Sequence, residues 1–294
     1  MISRRLQRFL KDLTLLVKPG IIRLLLITCG CSMLVATGGD WRLLSWPLVG
    51  WTLLGLALSS AGANCVNMWF DRDIDAVMHR TQYRPLPQQR WRPMTVLLLG
   101  LGLGIVAHVL LWWQVNALTA WLATSGYLFY VVIYTFWLKR RTVQNIVIGG
   151  AAGAFPPLVG WAAVQGELSL VAWSLFWVIF LWTPPHFWAL ALVKNADYTR
   201  AKVPMLPVVC GEVETKRQMV WYLLILIPVT LGLGVFAGFG PLYFTAALGL
   251  GGWWLYLAVR LLYAPGVTGA MAKFRYSIVY LAALFAAMVV DTFI

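Results

Sequence analysis

The stretch WPLVGWTLLGLALSSAGANCVNMWFDRDIDAVMHRTQYRPLP, residues 46–87, carries no charge from Trp46 to Phe70 and then turns abruptly acidic and basic. An uncharged run of that length spans a hydrocarbon core of about 30 Å as a helix. At about 100° per residue, Asn64, Asn67, Asp71 and Asp75 fall within an arc of about 80° on one helix face, whereas Asp73 falls on the opposite face. Polar groups at membrane depth are costly, so two amides and two carboxylates in line read as a binding site.

The rest of the chain has the same character. Its 294 residues are 61% hydrophobic and 11% charged, with 17 Trp and a mean hydropathy of +0.78. This is the composition of an integral membrane protein, not of a soluble enzyme. No ten-residue alternation of apolar and polar positions suggests a barrel, so the spans must be helices. Nine are expected, at approximately 21–38, 46–70, 94–113, 117–138, 145–164, 170–193, 219–238, 241–262 and 275–293. Residues 1–20 read as a retained cytoplasmic segment without a cleavable leader, and 21–294 as one all-α transmembrane domain around a central lipid-facing cavity.

Charge gives the orientation. Of 23 Lys and Arg, only Arg42 falls in an odd-numbered loop, so the positive-inside rule predicts a cytoplasmic amino terminus and a carboxyl terminus outside. The same asymmetry accounts for much of the net charge of +13, and nucleic acid is not needed as a partner. Cys29, Cys31, Cys65 and Cys210 lack metal or disulfide spacing and read as packing residues. Trp41, Trp46, Trp112, Trp113, Trp253 and Trp254 read as an interfacial belt.

Two cytoplasmic loops are chemically richer than the others. The first holds Asp71, Arg72, Asp73, Asp75, His79, Arg80 and Arg84 before Pro85-Leu86-Pro87; the second holds Lys194, Asp197, Tyr198, Arg200 and Lys202 before Pro204-Met205-Leu206-Pro207. Four spans separate them, a weak internal repeat suggesting two four-helix units, with a ninth helix, whose equivalent loops face one another. Carboxylates among arginines and lysines suit a diphosphate held through Mg²⁺. Such a site eases ionisation of an allylic carbon–oxygen bond, because charge on the departing diphosphate is already compensated. Asp71 and Asp75 can share the metal, and Asn67 one turn earlier can add a carbonyl oxygen.

At these residues the chain resembles the UbiA-type intramembrane prenyltransferases. The matching positions are Asn67, Asp71, Asp75, Arg80, Thr81, Arg84 and Pro85, with Met68 standing where many members have an acid. Residues 134–161, YTFWLKRRTVQNIVIGGAAGAFPPLVGW, and 182–209, WTPPHFWALALVKNADYTRAKVPMLPVV, are similar to the haem-farnesylating branch of that superfamily. The resemblance implies transfer of a farnesyl group from farnesyl diphosphate to the vinyl group of haem b in the cell inner membrane, near the cytoplasmic face. A related aromatic or chlorin acceptor is the alternative. It further implies Mg²⁺ as cofactor, with haem A synthase or terminal-oxidase assembly factors as partners besides membrane lipids. Because the second loop offers Asp197 where many members carry several acids, a second Mg²⁺ held mainly by that loop is not expected.

Individual side chains then acquire expected roles. Asn67, Asp71 and Asp75 are the catalytic set, with Asp197 as a further metal ligand. Arg72, Arg80, Arg84, Lys139, Arg140 and Lys194 are candidate diphosphate partners, although topology alone also explains Lys139, Arg140 and Arg141. His186 is a candidate haem ligand or proton carrier beside Pro184-Pro185, which should break its helix. His79, Asn145 and Tyr198 are candidate acceptor contacts, and His108 a hydrogen-bonded packing residue. Tyr130, Tyr134, Phe187 and Trp188 are candidates for the prenyl pocket, where ring faces stabilise an allylic cation. Gly149 and Gly153 suit close helix packing. A transporter would place its charges near mid-bilayer, and a purely haem-binding subunit has no use for acids aligned one turn apart.

Overall fold

The computed structural model describes residues 4–294, so the first three residues of the amino-terminal segment lie outside it. All regular structure among the described residues is helical. In chain order the helices are α1 (Arg4–Val17), α2 (Pro19–Ala36), α3 (Trp46–Phe70), α4 (Arg72–Val77), α5 (Pro93–Gln114) and α6 (Ala117–Leu128), which continues as a π-helix over Phe129–Leu138. Then come α7 (Asn145–Gly149), α8 (Ala151–Gln165), α9 (Leu170–Val193), α10 (Asn195–Arg200), α11 (Leu206–Val209), α12 (Gly211–Ala237), α13 (Pro241–Tyr263) and α14 (Ala270–Thr292). Nine of the resulting helical spans are long and apolar enough to cross a membrane.

Local chemistry sets many of the boundaries. Ser45 and Ser169 accept hydrogen bonds from Leu48 N and Ala172 N at 3.3 Å, and Asn116 Oδ1 accepts one from Thr119 N at 2.8 Å. Each satisfies a backbone donor that the first helical turn leaves open. Proline stands in the first turn of α3, α5 and α13, where its missing N–H costs nothing. The spans running through α7–α8 and α9 are mostly buried, whereas those of α5 and α6 are little buried, so the former lie further in.

Several expectations need correction. Helices α12 and α14 begin at Gly211 and Ala270, well before the apolar runs near 219 and 275, because their first turns are polar and extend beyond the apolar segment. Pro184 and Pro185 do not break α9, which runs on to Val193. Proline in a spanning helix is tolerated where the surrounding bundle re-satisfies the freed backbone, and α9 is mostly buried in the bundle on both sides of the pair. Trp254 is 1% exposed and packs against Tyr280, so it belongs to the core and not to the belt. Two hollows, of about 470 and 450 Å³, open at opposite ends of the bundle.

The glycines divide sharply. A Cβ on Gly160 would strike the carbonyl oxygen of Cys29 where α8 crosses α2, and one on Gly149 or Gly150 would strike Tyr134 or Thr183. Gly153 has nothing within 4 Å, so the close-packing pair is not Gly149 with Gly153. Gly160→Val should lower stability by about 1–3 kcal/mol through overpacking. Thermal unfolding in detergent checks this, with Gly153→Ala expected to leave the midpoint unchanged.

Candidate active site

Helicity carries almost unbroken from α3 into α4. Asp71 N donates to Asn67 O at 2.9 Å and Asp75 N to Asp71 O at 2.8 Å, which keeps residues four apart on one face. Asn67, Asp71 and Asp75 are accordingly all buried, at 3%, 0% and 2% exposure. The Asn67 side-chain Nδ2 donates to Asp71 Oδ2 at 2.8 Å and to Thr135 Oγ1 at 3.1 Å. Asn64, one turn earlier, does not join them: its Nδ2 donates to Val17 O at 2.9 Å.

Buried carboxylates demand cations, and three elements supply them. The π-helix brings Lys139 Nζ onto Asp71 Oδ2 as an ion pair and sets Thr135 against Asn67. Such wide turns recur at functional sites. The turn after α4 folds Arg84 back so that Nη1 meets Asp75 Oδ2 at 2.6 Å, while Thr81 Oγ1 donates to Asp75 O. The joint between α1 and α2 contributes Lys18, whose Nζ donates to Asn67 Oδ1 at 2.9 Å. Burial, with Arg84 and Lys139 close by, pushes the Lys18 ammonium down to about 7. Neither Lys18 nor Thr135 stands out in the sequence as a site residue. Lys18 reads as one of five basic residues ahead of the first span, and Thr135 reaches Asn67 only through the π-helix.

The remaining candidates disperse. Asp73, on the outer face, is held by Arg140 through contacts of 2.6 and 2.7 Å, and that hydrogen bonding keeps its carboxyl below the ordinary range. Arg140 also reaches the buried acids, with Nη2 3.7 Å from Asp71 Oδ1, so it bridges the outer and the inner carboxylate. Arg72 lies over the Trp69 ring and donates to Trp69 O at 2.6 Å. Arg80 is exposed above the Tyr198 ring. Lys194 is partly exposed at the junction of α9 and α10.

The two rich loops do meet. His79 N donates to Asp197 Oδ1 at 3.2 Å, Tyr198 packs with Ile74 and Met78, and Asn145 Nδ2 donates to Pro204 O at 3.1 Å. Asp197 is also 3.6 Å from Arg200. Among the described residues no three acidic, histidine or cysteine side chains gather as a metal cluster. Two carboxylates and an amide, Asp71, Asp75 and Asn67, share one helix face, and Asp197 stands with His79 and Arg200.

The aromatic candidates split in two. Tyr130 and Tyr134 stack at 5.4 Å on the π-helix beside the acids, with Tyr134 over Gly149. Trp188 instead packs edge-on to Tyr222 in the cluster between α9 and α12, and Phe187 is 39% exposed. His186 is sandwiched between the Trp182 and Phe274 rings, with Nδ1 2.6 Å from Ser277 Oγ. Ser277 Oγ donates to Phe274 O, so Nδ1 carries the hydrogen and Nε2 the lone pair. His108 is the packing residue expected, bonded to Thr124 at 2.8 Å.

The model of the UbiA prenyltransferase family matches residues 25–289. The chain belongs to the UbiA prenyltransferase family. A protoheme IX farnesyltransferase of Symbiobacterium thermophilum is 51% identical over 96% of this chain and 94% of its own length. One of Roseiflexus castenholzii is 49% identical over 96% of this chain, which spans 52% of that relative's length. Among solved structures, a digeranylgeranylglyceryl phosphate synthase matches with a TM-score of 0.80 at 17% identity, covering 97% of this chain and 98% of that one. A UbiA homolog from Archaeoglobus fulgidus bound to DMAPP and Mg²⁺ matches at 0.65 with 14% identity, over 94% and 99%. These likenesses show the UbiA fold.

The UbiA site fits a divalent cation on its own chemistry. Asp71 Oδ1 is buried without a hydrogen-bond partner, and two carboxylates with an amide oxygen are hard donors of the kind that share Mg²⁺ with phosphate. Arg84→Ala should cost about 3–5 kcal/mol by leaving Asp75 buried and unpaired. Thermal unfolding of the single variant and of Arg84→Ala/Asp75→Asn checks this, with most of the loss recovered in the double.

Proposed function

We propose that this chain transfers the farnesyl group of farnesyl diphosphate to the vinyl group of haem b, at the cytoplasmic face of the cell inner membrane. The observation that carries the reading is the buried Asn67–Asp71–Asp75 row with its open Asp71 oxygen. It stands in a chain 51% identical over 96% of its length to a protoheme IX farnesyltransferase. The orientation rests on the basic residues grouped at this end of the bundle.

Asn67, Asp71 and Asp75 would hold Mg²⁺, which supplies positive charge to the diphosphate oxygens. Arg84 and Lys139, already at the rim of the same carboxylates, lie where they can neutralise the rest of that charge. As the C1–oxygen bond breaks, its electron pair leaves on the diphosphate. The allylic cation left behind lies within reach of the stacked Tyr130 and Tyr134 rings, whose faces are electron-rich. The vinyl carbons then attack C1, water adds to the carbon left electron-poor, and one proton is released. His79, Asn145 and Tyr198, where the two loops meet, are the residues for the polar edge of the acceptor.

Purified protein given haem b, farnesyl diphosphate and Mg²⁺ should yield farnesylated porphyrin by mass spectrometry, and a chelator should abolish it. Asp71→Ala should lower the rate at least about a hundredfold. Full activity in that variant, or product on another acceptor but none on haem b, would sink the reading.

A further inference from the structure

Lys18 stands apart from the other cations of the site. Lys139 and Arg84 are each matched to a carboxylate, whereas the hydrogen bond of Lys18 goes to a neutral amide oxygen, Asn67 Oδ1. With Lys18 protonated, the three cations Lys18, Lys139 and Arg84 against the two anions Asp71 and Asp75 leave one positive charge over. A divalent metal would raise the excess to three, about the charge that a prenyl diphosphate carries at neutral pH. A half-buried ammonium bonded to no carboxylate is costly unless an anion arrives.

The backbone that presents this ammonium is itself held in place. Lys18 adopts φ 56, ψ 64, the left-handed region that a lysine rarely enters. Asn64 fixes the preceding carbonyl, donating from Nδ2 to Val17 O at 2.9 Å, one helical turn from the Asn67 that receives the ammonium. Asp12 and Arg90 tie α1 to the loop after α4 at 2.8 Å. Strained backbone persists where its surroundings over-determine it, as ligand clamps do.

We propose that Lys18 is a further binding residue for the diphosphate, aimed by Asn64 as a positioning residue. The role rests on the metal–diphosphate reading above. In the ligand-free site Lys18 occupies the Asn67 oxygen. Were Asn67 Oδ1 to hold the metal instead, the ammonium would be released toward a diphosphate oxygen, which would couple entry of the metal to entry of the anion.

Binding of inorganic diphosphate with Mg²⁺ to the detergent-purified full chain, followed by calorimetry, tests the role. Lys18→Met should weaken binding roughly tenfold or more, and Lys18→Arg should restore it to within roughly threefold. Asn64→Leu, which keeps the ammonium but frees its backbone, should weaken it roughly threefold or more. Without ligand, Lys18→Met should raise the unfolding temperature, because an apolar side chain replaces a half-buried charge bonded to no carboxylate; a merely structural lysine would lower it. Unchanged diphosphate affinity in Lys18→Met, with binding lost in Asp71→Ala, overturns the role of Lys18 alone. Unchanged affinity in Asp71→Ala overturns the metal–diphosphate reading and the role together.

Discussion

A carboxylate with no exposure to solvent cannot stand at the end of an apolar helix unless a cation stands beside it. Asp71 is at 0% exposure, and much of the surrounding architecture answers to that fact. The fourth span widens into a π-helix that carries Lys139 to Asp71 and Thr135 to Asn67. The chain after α4 doubles back to bring Arg84 to Asp75. The joint between α1 and α2 takes a backbone conformation foreign to lysine and delivers Lys18 to Asn67. Three elements distant in sequence thus converge on one helix face.

The fold was largely legible because lipid leaves little choice. Backbone groups in hydrocarbon must be satisfied within the helix, so length and hydropathy alone located the nine spans. Errors arose where hydropathy is silent. The polar opening turns of α12 and α14 are helical without being apolar, and Pro184-Pro185 is tolerated because the bundle compensates. Trp254 and Trp253 are neighbours in sequence but face opposite ways, one in the core and one outside.

The site was legible only along its helix. Periodicity placed Asn67, Asp71 and Asp75 together and Asp73 apart, since those contacts are local. The cations were harder, because a basic residue near a membrane end satisfies topology and chemistry equally well. Of the expected diphosphate partners, Lys139 and Arg84 bond to the acids, Arg140 bonds to Asp73 and only borders Asp71, and Arg72 is held by Trp69. Phe187 and Trp188 sit four residues or fewer from His186, yet the turn of α9 sends them toward lipid and α12. No spacing rule reveals a π-helix in FYVVIYTFWL, and with it Thr135 was hidden.

The ion pairs of Lys139 with Asp71 and of Arg84 with Asp75 have a bearing on biogenesis. Many metal sites built from acids repel themselves until the ion arrives, so the polypeptide waits for its metal before it can close. Here the acids are neutralised by the chain's own lysine and arginine. The nascent protein can therefore finish folding in the bilayer with no ion between its acids.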